Sequence, residues 1–405
     1  MRSLIEQNVK RIDNLIVLSL CVLIFGLPFS ISIVEIAATA AIVLWLFKKI
    51  IIMHSLKVAD TPLNIPISVY SLFVLISVFN SKFLMTSLTG FGLKAMEQFL
   101  IFIIMIDTVR TKKYLKAVVT AILLSCALMG ADGLWQYFTG YDFLRHYPIW
   151  SSFNRITASF KFPNGLGGWL ITVIPLCVSL AIFNTKEKIF RISGAFLSII
   201  LLACLVLNFT KGALVAIIPA FTFLVWNKGD TAKKVLLGAL LILLFGMGLM
   251  TVVGGKDIIA SYVARGWSAI HRLDLIKMCW KMFLDRPFFG HGINTFMSIF
   301  EEYSSGLTFS GISYAHNCYM QILAETGIFG LLSFLWMIGA LFVSSVKNMV
   351  KKSEGLVRIT QIGILGGLLA YLVHSLVEVN LYALQLAILF YYFLGLAMAV
   401  QNIRE

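Results

Sequence analysis

Apolar runs of roughly 15 to 25 residues recur along almost the whole chain, and about 20 such residues are needed for a helix to cross a bilayer. Because a segment in lipid must satisfy its own backbone hydrogen bonds, these runs predict membrane-spanning helices. Twelve runs fit, and the predicted spans are 13–29, 31–47, 66–80, 96–108, 115–138, 166–183, 192–208, 212–226, 235–253, 318–346, 359–376 and 380–400.

The composition agrees with this interpretation. Of the 405 residues, 59% are hydrophobic and only 13% are charged, and the mean hydropathy is +0.91, which is far more apolar than a soluble domain. The spans leave no stretch long enough for a sizeable soluble domain. We therefore predict an all-α polytopic membrane protein in which residues 1–405 form a single integral membrane domain.

The positions of Lys and Arg predict the orientation. If the N-terminus is cytoplasmic, 21 of the 33 basic residues fall in short inner segments, as the positive-inside rule requires. An even number of spans then puts both termini in the cytoplasm. The net charge of +14 is explained by this topology, so it does not indicate nucleic-acid binding.

Two outer segments, 138–165 and 254–317, are too long to be simple turns, and long ordered loops usually carry function. The second contains RLDLIKMCWKMFLD, in which Asp274 and Lys277 lie on a polar face. The opposite, apolar stripe consists of Leu275, Ile276, Cys279, Met282 and Phe283. This pattern predicts an amphipathic helix lying on the outer membrane surface.

Polar residues in or near spans are costly to bury, so they suggest a role. Six of them lie toward the predicted outer side: Glu35, Asp132, Lys211, Glu325, His374 and Glu378. A coupled transporter would more often hold such groups near the bilayer midplane. Their outer position favours an enzyme that works at the membrane surface.

Outer basic residues such as Arg155, Lys211 and Arg272 can bind a phosphate or pyrophosphate, Arg through a bidentate fork and Lys as a point charge. His316 can serve as a base near neutral pH. Alternatively, Arg272 is an interfacial snorkelling arginine, and His316 is a loop residue that caps a helix together with Asn317. The histidines are scattered and form no HExxH motif, so we predict no metal site and no cofactor.

Four ordered motifs resemble a known family. The stretch AHNCYMQILAETGIFGLL resembles the His-Asn…Leu-x-Glu-x-Gly signature of the O-antigen ligase and polymerase superfamily, and RLDLIKMCWKMFLDRPFFGHGINTF resembles the segment preceding it there. Upstream, GLWQYFTGYDFLRHYPIW and RITASFKFPNGLGGWL are similar to that family's first large periplasmic loop and its Pro-Asn helix start.

The resemblance implies a GT-C-like glycosyltransferase of the bacterial inner membrane, with about 12 transmembrane helices and an active site facing the periplasm. Loop 138–165 would be the first large periplasmic loop, and 254–317 the main one, carrying part of the active site. The donor would be a glycan linked to polyprenyl pyrophosphate. In ligases the acceptor is a sugar hydroxyl of the lipid A core; in polymerases it is another lipid-linked repeat unit.

The resemblance also implies residue roles. Arg272 matches the loop arginine that engages pyrophosphate, and His316 matches the essential histidine of the signature. Lys211, in NFTKGALVA, stands where the family commonly has Ser-Arg-Gly, and Asn164 matches the Pro-Asn pair. The predicted catalytic residues are His316 and Arg272, and the predicted substrate-binding residues are Lys211, Asn317, Asn164, Arg155 and Glu325.

The expected function is that of an O-antigen ligase using a lipid-linked donor, a lipid A core or glycan acceptor, and no metal or nucleotide. A polymerase of the same superfamily is the main alternative, and a protein-directed oligosaccharyltransferase shares the signature. A lipid-linked oligosaccharide flippase and a non-catalytic scaffold also stay open. The expected partners are these glycolipids and the surrounding membrane lipids, without nucleic acid.

Overall fold

The computed structural model describes residues 2–151, 154–183, 187–227, 257–305, 313–351 and 355–403. Within these ranges the chain is almost entirely helical and contains no β-strand. Two isolated β-bridges occur, Tyr141 with Pro148 and Trp150 with Arg155. The all-α prediction is confirmed for the described residues.

The helices fall into fourteen segments over the described ranges. In chain order they are α1 Arg2–Gly26, α2 Ile31–Phe47, α3 Asn64–Phe79, α4 Leu84–Thr89, α5 Met96–Thr108, α6 Lys112–Thr139, α7 Pro163–Ile182, α8 Lys188–Asn208, α9 Lys211–Trp226, α10 Asp257–Asp285, α11 Phe296–Tyr303, α12 Cys318–Lys351, α13 Leu356–His374 and α14 Leu384–Asn402. The π-helical segment Lys48–Ile52 extends α2, and another, Gly90–Ala95, joins α4 to α5. A 3-10 turn, Asn380–Tyr382, precedes α14.

Eight helical stretches in the described ranges are long and apolar enough to cross a membrane, which supports a multi-pass membrane protein. They are α2 with its extension, α4 to α5 as one stretch, α6, α7, α8, α12, α13 and α14. The shorter apolar helices α3 and α9 overlap two more predicted spans, and α1 covers most of span 13–29. Span 235–253 lies outside the described residues, so the number of twelve stays a prediction.

Helices α7 and α14 lie in the interior of the helix assembly. Helix α7 packs against α8, α9 and α13, and α14 packs against α5 and α13. Most residues of α7 and α14 are buried, whereas α8 leaves Ile192, Phe196 and Ile199 exposed on one face. The spacing of these three residues is that of one helix face, which suits contact with lipid. Helix α7 is therefore shielded from lipid by the helices packed around it.

Loops gather at one end of the helices, which we call the loop face: residues 140–151, 154–162, 286–295 and 375–383. Arg145 Nε donates to Phe29 O at 2.6 Å, and Asn80 Nδ2 donates to Gly290 O at 2.7 Å. These contacts tie the long loops to the neighbouring helix ends. Lysine ion pairs such as Lys49–Asp107, at 2.9 Å, lie at the other end. That the loop face is periplasmic stays a prediction.

Helix α10 contains the predicted amphipathic segment, but its apolar stripe does not lie on a membrane surface. Leu275, Cys279 and Met282 are fully buried in a cluster with Phe296 and Phe300 of α11. Once α11 folds back on α10, burial against protein replaces burial in lipid. The surface-helix interpretation of this stripe was therefore wrong.

Helix α12 is interrupted at Gly327, where the backbone is non-helical with φ +68° and ψ −170°. The loop after α10 supplies the hydrogen bonds that the interruption leaves open. Ile328 N donates to Pro287 O at 2.8 Å, and Gly292 N donates to Glu325 O at 2.8 Å. The backbones approach so closely that a Cβ on Gly327 would lie 2.3 Å from Phe288 O. Only glycine tolerates both this φ and this contact.

Glu325, two residues before the interruption, is fully buried and holds the same loop. Its Oε2 accepts a hydrogen bond from Asn294 N at 2.9 Å, and its Oε1 accepts one from Phe296 N at 3.0 Å. The second donor, Phe296, is the first residue of α11, so the carboxyl also satisfies an open N–H at that helix start. Glu325 thus fixes the loop that connects α10 to α11.

We expect Gly327→Ala to lower the apparent melting temperature of the purified protein in detergent. An alanine at positive φ costs about 1–2 kcal/mol, before the clash with Phe288 is added. Gly339→Ala is the matched control, because Gly339 lies on the same helix and nothing surrounds its Cβ position within 4 Å. Equal melting temperatures for the two variants would contradict the proposed interlock.

Candidate active site at the loop face

Four polar side chains from four parts of the chain form a hydrogen-bonded row at the loop face. His316 Nδ1 lies 3.0 Å from Glu378 Oε1. Asn164 Nδ2 donates to the other carboxylate oxygen of Glu378. Arg155 Nη2 donates to Asn164 Oδ1 at 3.4 Å. We call His316, Glu378, Asn164 and Arg155 the His316 row.

Arg155 joins the row to the turn before α9. Its Nε donates to Asn208 O at 2.9 Å, and its Nη2 donates to Thr210 Oγ1 at 2.8 Å. Asn208 also holds the start of α7, because its Nδ2 donates to Pro163 O at 2.9 Å. Burial lowers the pKa of Arg155 to about 10, so the guanidinium remains charged at neutral pH. Because its Nε and Nη2 atoms already donate to protein acceptors, the main role of Arg155 is to position Asn164.

Glu378 lies in the segment between α13 and α14, which is bound to the start of α12. Cys318 N donates to Ser375 O at 2.9 Å, and the Cys318 thiol donates to Glu378 O at 3.3 Å. His316 precedes Cys318 by two residues and has φ +48°, a conformation that residues other than glycine seldom adopt. Such strained backbone clusters at functional sites. The imidazole and the carboxyl are therefore held together by both of their backbones.

The electrostatics of the pair fix the histidine tautomer. Burial raises the pKa of Glu378, but the hydrogen bond and attraction of His316 outweigh burial, so this pKa lies below its ordinary value. An ionised carboxylate only accepts hydrogen bonds, so we assign the proton of neutral His316 to Nδ1. Nε2 is then left as the acceptor. A histidine in this tautomer can take a proton from a hydroxyl group.

Helix α10 brings a second imidazole and a cation to the row. The ring of His271 is nearly perpendicular to that of His316, with centroids 6.3 Å apart. Burial, followed by the charges of His316 and Arg272, lowers the pKa of His271, so it is neutral at pH 7. Arg272 interacts electrostatically with His374, but among the described residues it makes no hydrogen bond or ion pair. Its guanidinium is therefore available to an anionic ligand.

Lys211 is the exposed first residue of α9 and directly follows Thr210, which binds Arg155. The start of α9 packs closely on the Glu378 segment, since a Cβ on Gly212 would lie 2.8 Å from Val377 Cγ2. The structure therefore brings Lys211 to the same region as Arg155, Asn164, Arg272 and His316.

Two predicted residues have evident structural contacts instead. Asn317 caps α12, because its Oδ1 accepts a hydrogen bond from Met320 N at 3.0 Å. Glu325 holds the loop between α10 and α11, as described above. Their predicted contacts with substrate stay predictions, and the geometry favours structural roles for both.

Two residues of this region were missing from the predicted site. Glu378 stood out in the sequence only as an acidic residue at the outer end of a span, 62 positions from His316. His271 directly precedes Arg272 on α10. Its ring contacts that of His316 only because of the way α10 packs. The sign in the sequence that could have pointed to Glu378 was the concentration of polar residues at the outer ends of the predicted spans.

Residues 196–335 match the family model described as O-antigen ligase. The predicted resemblance to this superfamily is therefore confirmed. The matched region contains Lys211, Arg272, His316 and Asn317, whereas the other three members of the His316 row, Glu378, Asn164 and Arg155, lie outside it. No curated protein matches the chain.

The match supports a coarse statement of activity. The O-antigen ligase and polymerase superfamily comprises membrane glycosyltransferase-like enzymes that act on lipid-linked glycans. The described helices agree with a multi-pass membrane protein of this kind. His316, Arg272 and Lys211 come together at one end of those helices, which is where a lipid headgroup would be met.

We expect the stabilising effect of Glu378 to depend on pH. Because the folded-state pKa of its carboxyl is lowered, the ionised form contributes stability above its ordinary pKa of about 4.3, and this is lost as pH falls through the lowered value. The melting-temperature difference between wild type and Glu378→Gln should therefore shrink from pH 7 to pH 3.5. Glu301→Gln, at an exposed site on α11, should show no such trend. A difference that grows at acid pH would contradict this assignment.

Proposed function

We propose that the protein is an O-antigen ligase-like glycosyltransferase that moves a glycan from polyprenyl pyrophosphate to a sugar hydroxyl of the lipid A core. The observation that carries the proposal is the His316–Glu378 pair near Arg272, whose guanidinium makes no hydrogen bond or ion pair with any described residue. His316 and Arg272 lie within the matched region. A base and a cation are what an acceptor hydroxyl and a departing pyrophosphate need.

In the proposed reaction, His316 Nε2 accepts the proton of the acceptor hydroxyl. The hydroxyl oxygen bonds to the anomeric carbon of the donor glycan as the bond from that carbon to the pyrophosphate oxygen breaks. The electron pair of the broken bond stays on the pyrophosphate. Glu378 holds His316 in the right tautomer and stabilises the imidazolium that forms, while Asn164 and Arg155 hold Glu378.

The leaving pyrophosphate gains negative charge, which nearby cations can stabilise. Arg272 presents a planar fork suited to phosphate oxygens, and Lys211 adds a point charge without that fork. Because pyrophosphate is already a good leaving group, the proposed reaction uses neither a metal ion nor a nucleotide. The energy of transfer then comes from the activated lipid donor.

The same chemistry serves a polymerase, since only the acceptor differs. The alternative function is therefore an O-antigen or exopolysaccharide polymerase of the same superfamily. A flippase gains no support from a histidine–carboxylate pair, which a transported headgroup does not need. In both enzymatic cases we place the protein in the bacterial inner membrane, GT-C-like, with cytoplasmic termini and a periplasmic loop face.

The first test is glycan transfer by purified protein in detergent, with a polyprenyl-pyrophosphate glycan, lipid A core and EDTA, and without nucleotide. We expect one glycan to be added to lipid A core. Elongation of the lipid-linked donor would make the protein a polymerase. Absence of either product would direct the search to protein acceptors and then to transport.

Variants test the residue roles. We expect His316→Ala to lower the transfer rate about 10²- to 10⁴-fold, and Arg272→Ala about 10²- to 10³-fold, because each removes a group needed only in the transition state. Lys281→Ala removes an exposed cation of the same helix α10 and should leave the rate unchanged. Normal transfer by the His316 and Arg272 variants, with wild-type expression and insertion, would refute the assignment.

A further inference from the structure

A cleft between α3, α5, α12 and α14 is separate from the His316 row. We call it the tyrosine cleft; it is lined by Tyr70, Gln98, Phe99, Asn294, Tyr382 and Tyr391, among others. Its cavity volume is about 80 Å³, and it is partly open to solvent. The π-helical segment Gly90–Ala95 forms one edge of the cleft, and such segments are frequent at functional sites.

Three polar side chains of the tyrosine cleft have no hydrogen-bonding partner among the described residues. Gln98 is only 9% exposed, yet its side-chain amide makes no hydrogen bond to any described residue. The hydroxyls of Tyr70 and Tyr391 likewise have no hydrogen-bonding partner within the described ranges. Buried polar groups are normally satisfied, and a group left without a partner in a cleft points to a ligand or water there.

The walls around these groups are aromatic. The Phe99 ring meets that of Tyr391 edge-on at 5.4 Å and that of Tyr70 at 6.1 Å, between centroids. The cation at the cleft, Lys94, already binds Asn294 Oδ1 at 3.0 Å. Aromatic surface combined with neutral amide and hydroxyl groups suits a sugar ring, which has both apolar C–H faces and hydroxyls. A lipid chain would leave the amide unsatisfied.

The tyrosine cleft shares a wall with the His316 row. The segment after α13 presents Glu378 to His316 and, a few residues later, Leu381 and Tyr382 to the cleft. Leu381 N donates to Cys318 Sγ at 3.4 Å, so this wall is fixed to the start of α12. Tyr382 lies four positions after Glu378 in the sequence, so their Cα atoms are at most about 14 Å apart.

We propose that the tyrosine cleft binds a sugar ring of the acceptor glycan and so orients its hydroxyl toward His316. This inference rests on the proposed glycosyltransferase function. Charge distinguishes acceptor from donor, because two cations, Arg272 and Lys211, lie with the His316 row, whereas the cleft has the single cation Lys94 among its lining residues. The pyrophosphate-bearing donor belongs with the two cations, which leaves the cleft to the acceptor.

The test compares Tyr391→Phe and Gln98→Met with Tyr392→Phe. Tyr392 is the neighbouring tyrosine of α14, and its hydroxyl donates to Leu20 O at 3.1 Å, away from the cleft. The KM for lipid A core and the KM for the lipid-linked donor are measured separately. Losing one hydrogen bond to a ligand weakens binding about 3- to 10-fold. We expect each cleft variant to raise the acceptor KM by that factor, with the donor KM unchanged and Tyr392→Phe like wild type.

Direct binding of delipidated core oligosaccharide, without donor, separates this inference from the proposed function. Weaker binding by the two cleft variants than by Tyr392→Phe supports the cleft as the acceptor site. An unchanged acceptor KM in variants of a wild type that transfers glycan overturns the cleft assignment alone, as does a rise in the donor KM. If the wild type neither transfers glycan to lipid A core nor binds the core oligosaccharide, the proposed function and this inference both fail.

Discussion

The interlock between the interrupted α12 and the loop after α10 determines how the rest of the loop face is arranged. Gly327 interrupts the helix, and the backbones of Pro287 and Gly292 form the hydrogen bonds that the interruption leaves unmade. The Glu325 carboxyl binds the loop backbone at Asn294. Because α10 enters this loop and His316 immediately precedes α12, the interlock sets the position of Arg272 relative to His316. A buried carboxyl thus controls the geometry of the residues that would meet a substrate.

The His316 row likewise depends on contacts between distant parts of the chain. Its members come from the loop before α7, the start of α7, the segment before α12 and the segment before α14. No single helix could hold them, so the row depends on α7 and α13 being packed together in the interior. The site is therefore a property of the whole helix assembly, although the family match covers only residues 196–335.

Much of the helical framework was predictable from the sequence, because apolar runs report directly on helices in lipid. The predicted span 96–108 coincides with α5, and span 318–346 begins at the first residue of α12. The interruption at Gly327 was not predicted, since one glycine in an apolar run gives no sign of a loop packed against it. Glu378 was missed as the partner of His316 for a related reason: a contact across 62 positions depends on packing and leaves no local pattern. The apolar stripe of α10 revealed its periodicity but not whether lipid or protein covers it.

The interruption of α12 also bears on how far His316 would lie from the hydrocarbon core of a membrane. An unbroken helix of 34 residues would be about 51 Å long, well beyond a hydrocarbon core of about 30 Å. The part after Gly327 measures about 36 Å and is enough to cross that core alone. The short part before it, which His316 precedes, would then stand in the headgroup layer. At this height the prenyl chain of the proposed donor would stay in hydrocarbon while its pyrophosphate and sugars meet His316 in a hydrated zone, so neither end of the donor would have to leave its preferred solvent.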